Sequence, residues 1–249
     1  MEDNNKIISS FYVKDTLNPV IWDDYDKKDE SKLKSNIRDG LIRIANEFIN
    51  FLDVEVFVHD ITMTGSLANY NWSEFSDIDL HIIYNSSDID EGNTELYSQL
   101  FGLKKTVFNS QHDITVKDYE VELYMQDLNE LHMSTGVYSV LYDEWLVSPK
   151  VEKPEINKSF IQRKAEQWMD VIDTLEDDIK DDDLNEKIDK IDKLKEKIKK
   201  YRSCGLERGG EYSNENMVFK YLRRNGYIQK LFDLKIKSMD DSLTINENL

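Results

Sequence analysis

Two aspartates two residues apart, Asp77 and Asp79, follow a Gly65-Ser66 pair after ten intervening residues. The stretch Asp77-Ile78-Asp79-Leu80-His81-Ile82-Ile83 alternates polar with apolar side chains, the pattern of a half-buried strand. Residues two apart on a strand point the same way, so Asp77 and Asp79 put two carboxylates on one face while Ile78, Leu80 and Ile82 face a core. Two hard oxygen ligands that close together suit a divalent magnesium ion. Gly65 and Ser66 fit the other half of that chemistry. They end an apolar run from Val54 to Met63 that reads as a first strand. Glycine lets backbone approach a bulky anion, and the Ser66 hydroxyl beside exposed N–H groups can donate to phosphate oxygens, especially if a short helix starts there. A Gly-Ser turn or an Asp-x-Asp pair alone is commonplace. Joined strand to turn to strand, they describe a phosphate cradle beside a metal-binding strand.

This Gly-Ser, ten residues, Asp-x-Asp arrangement resembles the signature of the DNA polymerase beta-like nucleotidyltransferase superfamily, which includes poly(A) polymerases, CCA-adding enzymes, aminoglycoside nucleotidyltransferases and oligoadenylate or cyclic-dinucleotide synthases. The resemblance covers roughly residues 30 to 130, about two-fifths of the chain. More loosely, Glu120 to Pro149 is similar to predicted nucleotidyltransferases of large tailed bacteriophages. The family brings a third carboxylate on a later strand. In Asp118 to Met125, Val121, Leu123 and Met125 form an apolar face and Glu120, Glu122 and Tyr124 the opposite one. Glu122 is the choice for the third ligand, and Glu120 shares its facing.

The resemblance implies an α+β fold, a nucleotidyltransferase-type mixed β-sheet flanked by helices and followed by a C-terminal helical bundle, with the site in the cleft between. It implies two magnesium ions, or manganese, on Asp77, Asp79 and Glu122. A nucleoside monophosphate would pass from a triphosphate, ATP first, to an acceptor hydroxyl on a small molecule, protein or nucleotide, releasing pyrophosphate. Gly65 and Ser66 would hold the beta and gamma phosphates. In related enzymes a basic residue of the helical half neutralises the triphosphate, and here Lys220 and Arg223, with Arg202 or Arg208, offer such a strip or else a solvated helix face. Two other readings stand beside this one: terminal transfer onto RNA, with Tyr70 and Trp72 stacking on bases, and a non-catalytic nucleotide-sensing module. His81 shares the parity of the aspartates and reads as a hydrogen-bonded residue lining the sheet. His112 and His132 carry little signal.

Charge narrows the partner. The chain of 249 residues has a net charge of −18, and residues 1 to 150 hold 12 basic against 28 acidic side chains, while residues 151 to 249 hold 20 against 22. Nearly all the excess acid accompanies the proposed site, so an extended nucleic acid is an unfavourable partner. No apolar run approaches the roughly 18 residues of a membrane span, and the acidic start lacks the positive opening of a signal peptide, so the reading is a cytoplasmic chain without a membrane partner. Cys204 is the single cysteine, which excludes an internal disulfide and a cysteine-based zinc site.

The elements that must position these residues follow from periodicity. Residues 1 to 30 read as an irregular arm. Leu33, Ile37, Leu41, Ala45, Phe48 and Leu52 predict an amphipathic helix. A second helix is expected over Glu95 to Phe108, short strands over Ile114 to Val116 and Tyr119 to Met125, and a hairpin from Gly136 to Val147. Pro149 marks the boundary between a catalytic domain, residues 1–150, and a helical domain, residues 151–249. In the second, stripes from Ile161 to Ile179 and from Leu184 to Tyr201 predict two antiparallel helices. Cys204 to Tyr212 reads as a glycine-bearing loop, Ser213 as an N-cap, Gly226 as a helix stop, Tyr227 to about Lys237 as a last helix, and the tail from Asp240 as loose.

Overall fold

Alternation along three strands generates the first of two compact units, Tyr12–Lys153; the second combines Met1–Phe11 with Pro154–Leu249. The computed structural model describes residues 2–27, 30–89, 92–130, 134–152 and 154–245, so His132 and the last four residues lie outside the described set.

In the first unit a short ladder, β1 (Trp22–Asp23) with β2 (Lys32–Leu33), leads into α2 (Ser35–Leu52). The helix label α1 belongs to Glu2–Ser9, in the second unit. α2 buries the expected stripe Ile37, Leu41, Ala45, Phe48 and Leu52, and ends where Asp53 turns left-handed at φ 56°. β3 (Val58–Thr64), β4 (Ile78–Tyr84), α3 (Thr94–Gln111), β5 (Thr115–Val116), β6 (Tyr119–Asp127), β7 (Val137–Ser139) and β8 (Glu144–Val147) follow. They build a six-stranded mixed sheet in the order β5-β6-β4-β3-β7-β8. β4 pairs antiparallel with β3 and parallel with β6, and the parallel pair needs the crossover that α3 supplies.

Parity then assigns the two faces. Ile61 and Met63 on β3 stand beside Ile82 and Leu80 on β4, which stand beside Met125 and Leu123 on β6. These side chains and the buried stripe of α2 belong to one apolar cluster, which Phe48 and Phe108 extend with ring centroids 5.1 Å apart. α3 guards the open edge of β6. The Asn109 amide donates to the Leu123 carbonyl at 3.2 Å and accepts from the Leu123 N–H at 3.3 Å, satisfying backbone groups that β5 is too short to reach. The opposite face of the sheet carries Thr62, Thr64, Asp79, His81, Glu122, Tyr124 and Ser139.

The helical unit departs from expectation at its ends. α1 is a helix rather than an irregular arm, and Ile7, Ile8 and Phe11 are buried in the cluster formed with α4 (Lys158–Asp178), α5 (Leu184–Gly209), α6 (Asn214–Arg224) and α7 (Tyr227–Leu243). Contacts so distant in sequence leave no local periodic signal. α5 runs through the expected loop to Gly209. Gly205 sits inside it because a Cβ there would lie 2.5 Å from the Glu215 Cβ, so the missing side chain admits the start of α6. Ser213 caps α6, accepting from the Asn216 N–H at 3.3 Å, and Gly226 turns left-handed at φ 77° between α6 and α7. α7 continues to Leu243, beyond the expected end near Lys237 and into the tail expected to be loose. Among the described residues no helix is long and apolar enough to cross a membrane.

A polar knot ties the edge of the first unit to its helix. Asp143 accepts from the Tyr138 hydroxyl at 2.7 Å and from Lys32 Nζ at 3.1 Å, while Arg38 donates to the carbonyls of Val140 at 2.8 Å and Leu141 at 2.6 Å. Burial works against the Asp143 charge, but the Tyr138 hydroxyl, Lys32 and Arg38 outweigh it and hold the carboxyl below its ordinary 3.8. A depressed folded value contributes stability above the unfolded value that is lost as pH falls through the folded one. Asp143→Asn is therefore expected to cost about 1 kcal/mol at pH 7, discounted for partial exposure, with the difference from wild type shrinking as pH falls below the ordinary carboxylate value of 3.8. Urea denaturation at neutral and acid pH checks it.

Candidate metal centre

The parallel register sets Asp79 directly beside Glu122, and the antiparallel register sets Thr64 on the other side of Asp79. Asp77 immediately precedes β4 instead of lying in its ladder, yet it still reaches the group. Asp77, Asp79 and Glu122 each offer a carboxylate oxygen, all within 4.8 Å of one another, and all three are half-buried. Glu120 stands two residues earlier opposite Thr115, exposed and outside the cluster, so the geometry selects Glu122. Three hard oxygen donors in one ion's reach match a magnesium or manganese site.

The next row along the same face is His81 beside Tyr124. Their rings stack with centroids 4.8 Å apart, and His81 Nε2 lies 3.2 Å from Thr64 Oγ1. The Tyr124 hydroxyl donates to Glu122 Oε2. Burial, that hydrogen bond, and the charges of Glu122, Asp79 and Asp77 all push the Tyr124 phenol far above its ordinary value, so it stays a proton donor to Glu122. Lys105 of α3 places its ammonium 4.0 Å from the centre of the same ring. Sequence parity had put Tyr124 on the face of Glu122 without giving it a role. Lys105 had no signal, because only the packing of α3 against the β6 edge brings it there.

The Gly65 turn approaches the cluster from above β3. Gly65 adopts φ 77°, and a Cβ on it would lie 1.9 Å from Asp79 Oδ2, so the backbone passes against the carboxylate itself. Ser66 opens a three-residue 3-10 turn, Ser66–Ala68. Its hydroxyl donates to Ser76 Oγ at 2.7 Å, and Ser76 Oγ also accepts from the Ser73 N–H at 2.9 Å, so the loop's two ends are clasped by hydroxyls. Tyr70 is 2% exposed in the core and offers no stacking platform. Trp72 is half-buried and donates to the Thr16 carbonyl at 2.9 Å.

Lys220 and Arg223 stand on α6 of the helical unit. Lys220 is paired with Glu211 at 2.8 Å, and Arg208 with Glu215 at 2.8 Å, the arrangement of a surface basic strip. Arg223 is exposed. Arg202 is half-buried beside Asn216 and Phe219.

Comparisons with protein-family models, curated proteins and solved structures give no match to this chain. The contact at Gly65 is directly testable. Gly65→Ala meets both a left-handed backbone and the Asp79 oxygen, so it is expected to lower stability by about 1–3 kcal/mol. It should also displace Asp79, so that if the triad takes up manganese, a rise in melting temperature with the ion is expected for wild type and is lost in the variant, read by thermal melting with and without manganese.

Proposed function

We propose that the chain is a metal-dependent nucleotidyltransferase built on the DNA polymerase beta-like fold. The observation that carries this reading is the triad: Asp77, Asp79 and Glu122 converge within 4.8 Å on adjacent strands directly beyond the Gly65-Ser66 turn. Like charges gathered that closely and half-buried repel one another unless a cation is shared among them, so the donor set fits a divalent ion better than it fits a purely structural role.

Asp77, Asp79 and Glu122 would hold magnesium or manganese, which when bound neutralises triphosphate charge and lowers the pKa of an acceptor hydroxyl. The protein's own groups supply the rest. The Gly65 backbone, pressed against Asp79, leaves room for phosphate oxygens beside the cluster, and Ser66 stands next to them with a hydroxyl held by Ser76. Tyr124 keeps Glu122 in one rotamer. Glu122 then accepts the proton of the attacking hydroxyl as the new bond from acceptor oxygen to alpha phosphorus forms, and the bond from alpha phosphorus to the bridging oxygen breaks to release pyrophosphate. The acidity of residues 1 to 150 favours a small acceptor, a nucleotide or a protein over a long nucleic acid.

Supplying alpha-labelled triphosphates with magnesium to the protein in cell extract tests the reading. Label transfer with pyrophosphate release is expected from wild type, falling at least about a hundredfold in Asp77→Asn plus Asp79→Asn. Equal labelling by both proteins overturns it. A magnesium-dependent thermal shift with ATP and no pyrophosphate under any condition would instead mark a nucleotide-sensing module. Tyr124→Phe removes one charge-assisted hydrogen bond, so manganese affinity measured by calorimetry is expected to change by roughly tenfold while the melting temperature without metal moves by only a few degrees.

A further inference from the structure

Within the helical unit, α5, α6 and α7 leave a cleft of about 520 Å³ between them. Its floor is apolar, made by Ile198, Leu231, Ile228 and Phe219, and Phe232 forms one wall. Its rim is cationic. Lys195, Lys199 and Arg202 stand at i, i+4 and i+7 on α5, so one face of that helix presents all three to the cleft. Among the described residues Glu196 is the one acidic residue lining it, and it lies 3.8 Å from Lys199 with both side chains largely exposed, a weak pair.

The two inner cations are seated on aromatic rings. Lys195 Nζ lies 3.8 Å from the centre of Phe232 and the Arg202 guanidinium 4.3 Å from that of Phe219. Arg202 donates through Nε to Asn216 Oδ1 at 3.1 Å. Among the described residues no carboxylate forms an ion pair with Arg202 or Lys195. Four other cations of the helical unit, Lys220, Lys230, Lys235 and Arg208, are paired with carboxylates, whereas Lys164 and Lys197 lie over the Trp168 ring. A half-buried guanidinium left with a ring and one amide is expensive to hold. Its burial, and behind it the charge of Arg223, pushes Arg202 below its ordinary value.

We propose that this cleft binds an amphipathic anion, an acyl or aryl body lying on Ile198, Phe219, Ile228 and Leu231 with a terminal phosphate or carboxylate between Arg202 and Lys195. The volume falls in the range of small-molecule sites, and the lining joins a mainly apolar surface to a few convergent polar groups. Arg202 supplies the planar fork for an oxyanion and Lys195 a second charge. The site is independent of the acidic triad and needs no nucleotide.

Calorimetric titration of the full chain with octyl phosphate, at submicellar concentration, tests this, with octanol and inorganic phosphate as controls for tail and head alone. Saturable one-to-one binding is expected for octyl phosphate, weakening with added sodium chloride and at least about tenfold weaker in Lys195→Gln plus Arg202→Gln. Phe232→Ser, altering an exposed wall residue, should also weaken it, and far-ultraviolet circular dichroism melts establish that each variant is folded. Absence of saturable binding, equal binding of octanol, or salt-insensitive binding that survives the double substitution overturns the proposal. So does a concentration-dependent dimer that Phe232→Ser dissociates and octyl phosphate leaves intact, since the wall would then serve a second copy.

Discussion

The parallel pairing of β4 with β6 is the constraint on which the candidate site rests. It places Asp79 beside Glu122 and, through the same parity, Leu80 beside Leu123 in the core. A slip of one residue would set each strand's core residues against its neighbour's polar ones. The carboxylates themselves resist the correct register: two unit charges 4.8 Å apart repel by about 3 kcal/mol at an effective dielectric near 20. Burying Ile78, Leu80, Ile82 and Leu123, each with no exposed surface, contributes about 1.5–3 kcal/mol apiece. Glu122 faces both Asp77 and Asp79, so the cross-strand repulsion totals about 7 kcal/mol, a load that burial of these four side chains is large enough to balance, and strand alternation makes the two inseparable.

The turn after β3 extends the same logic. Gly65 can press against Asp79 because it lacks a Cβ, and the clasp of Ser66 and Ser73 on Ser76 closes the loop without help from the sheet. These hydrogen bonds act beside burial, because Leu67, Ala68 and Tyr70 of the same loop lie in the core cluster. The carboxylates and the turn are thus both positioned by burial, the turn with local hydrogen bonding in addition. A substitution at Gly65 couples them through a steric contact.

Much of this was legible along the chain because the relevant periods are short. The i, i+2 spacing of Asp77, Asp79 and His81 fixed their facing before any pairing partner was known, and the stripe from Ile37 to Leu52 fixed the buried side of α2. Local stops were legible where one residue type does one job, as with Ser213 and Gly226. Illegible were features that depend on what packs nearby. Gly205 and Gly209 read as loop residues because glycine in a helix is unfavourable, and only the approach of α6 explains Gly205. α1 joins a core made by residues more than 150 positions away, and Lys105 meets Tyr124 only through the α3 crossover.

Charge shows most plainly how an average hides a site. A chain of net charge −18 carries on α5 a cationic face whose inner members have no carboxylate partner among the described residues. Along α5, lysines alternate with acids, and in sequence that reads as a solvated surface. The helix resolves the mixture by angle: Lys190 and Lys193 pair with Asp182 and Asp189, whereas Lys195 and Arg202 turn toward Phe232 and Phe219. An aromatic face attracts a cation without cancelling its charge, so Lys195 and Arg202 keep a positive potential over the cleft. Retaining an unneutralised guanidinium in a chain so rich in acid is understandable if the missing charge is supplied by a ligand, as the triad's surplus negative charge would be by a metal.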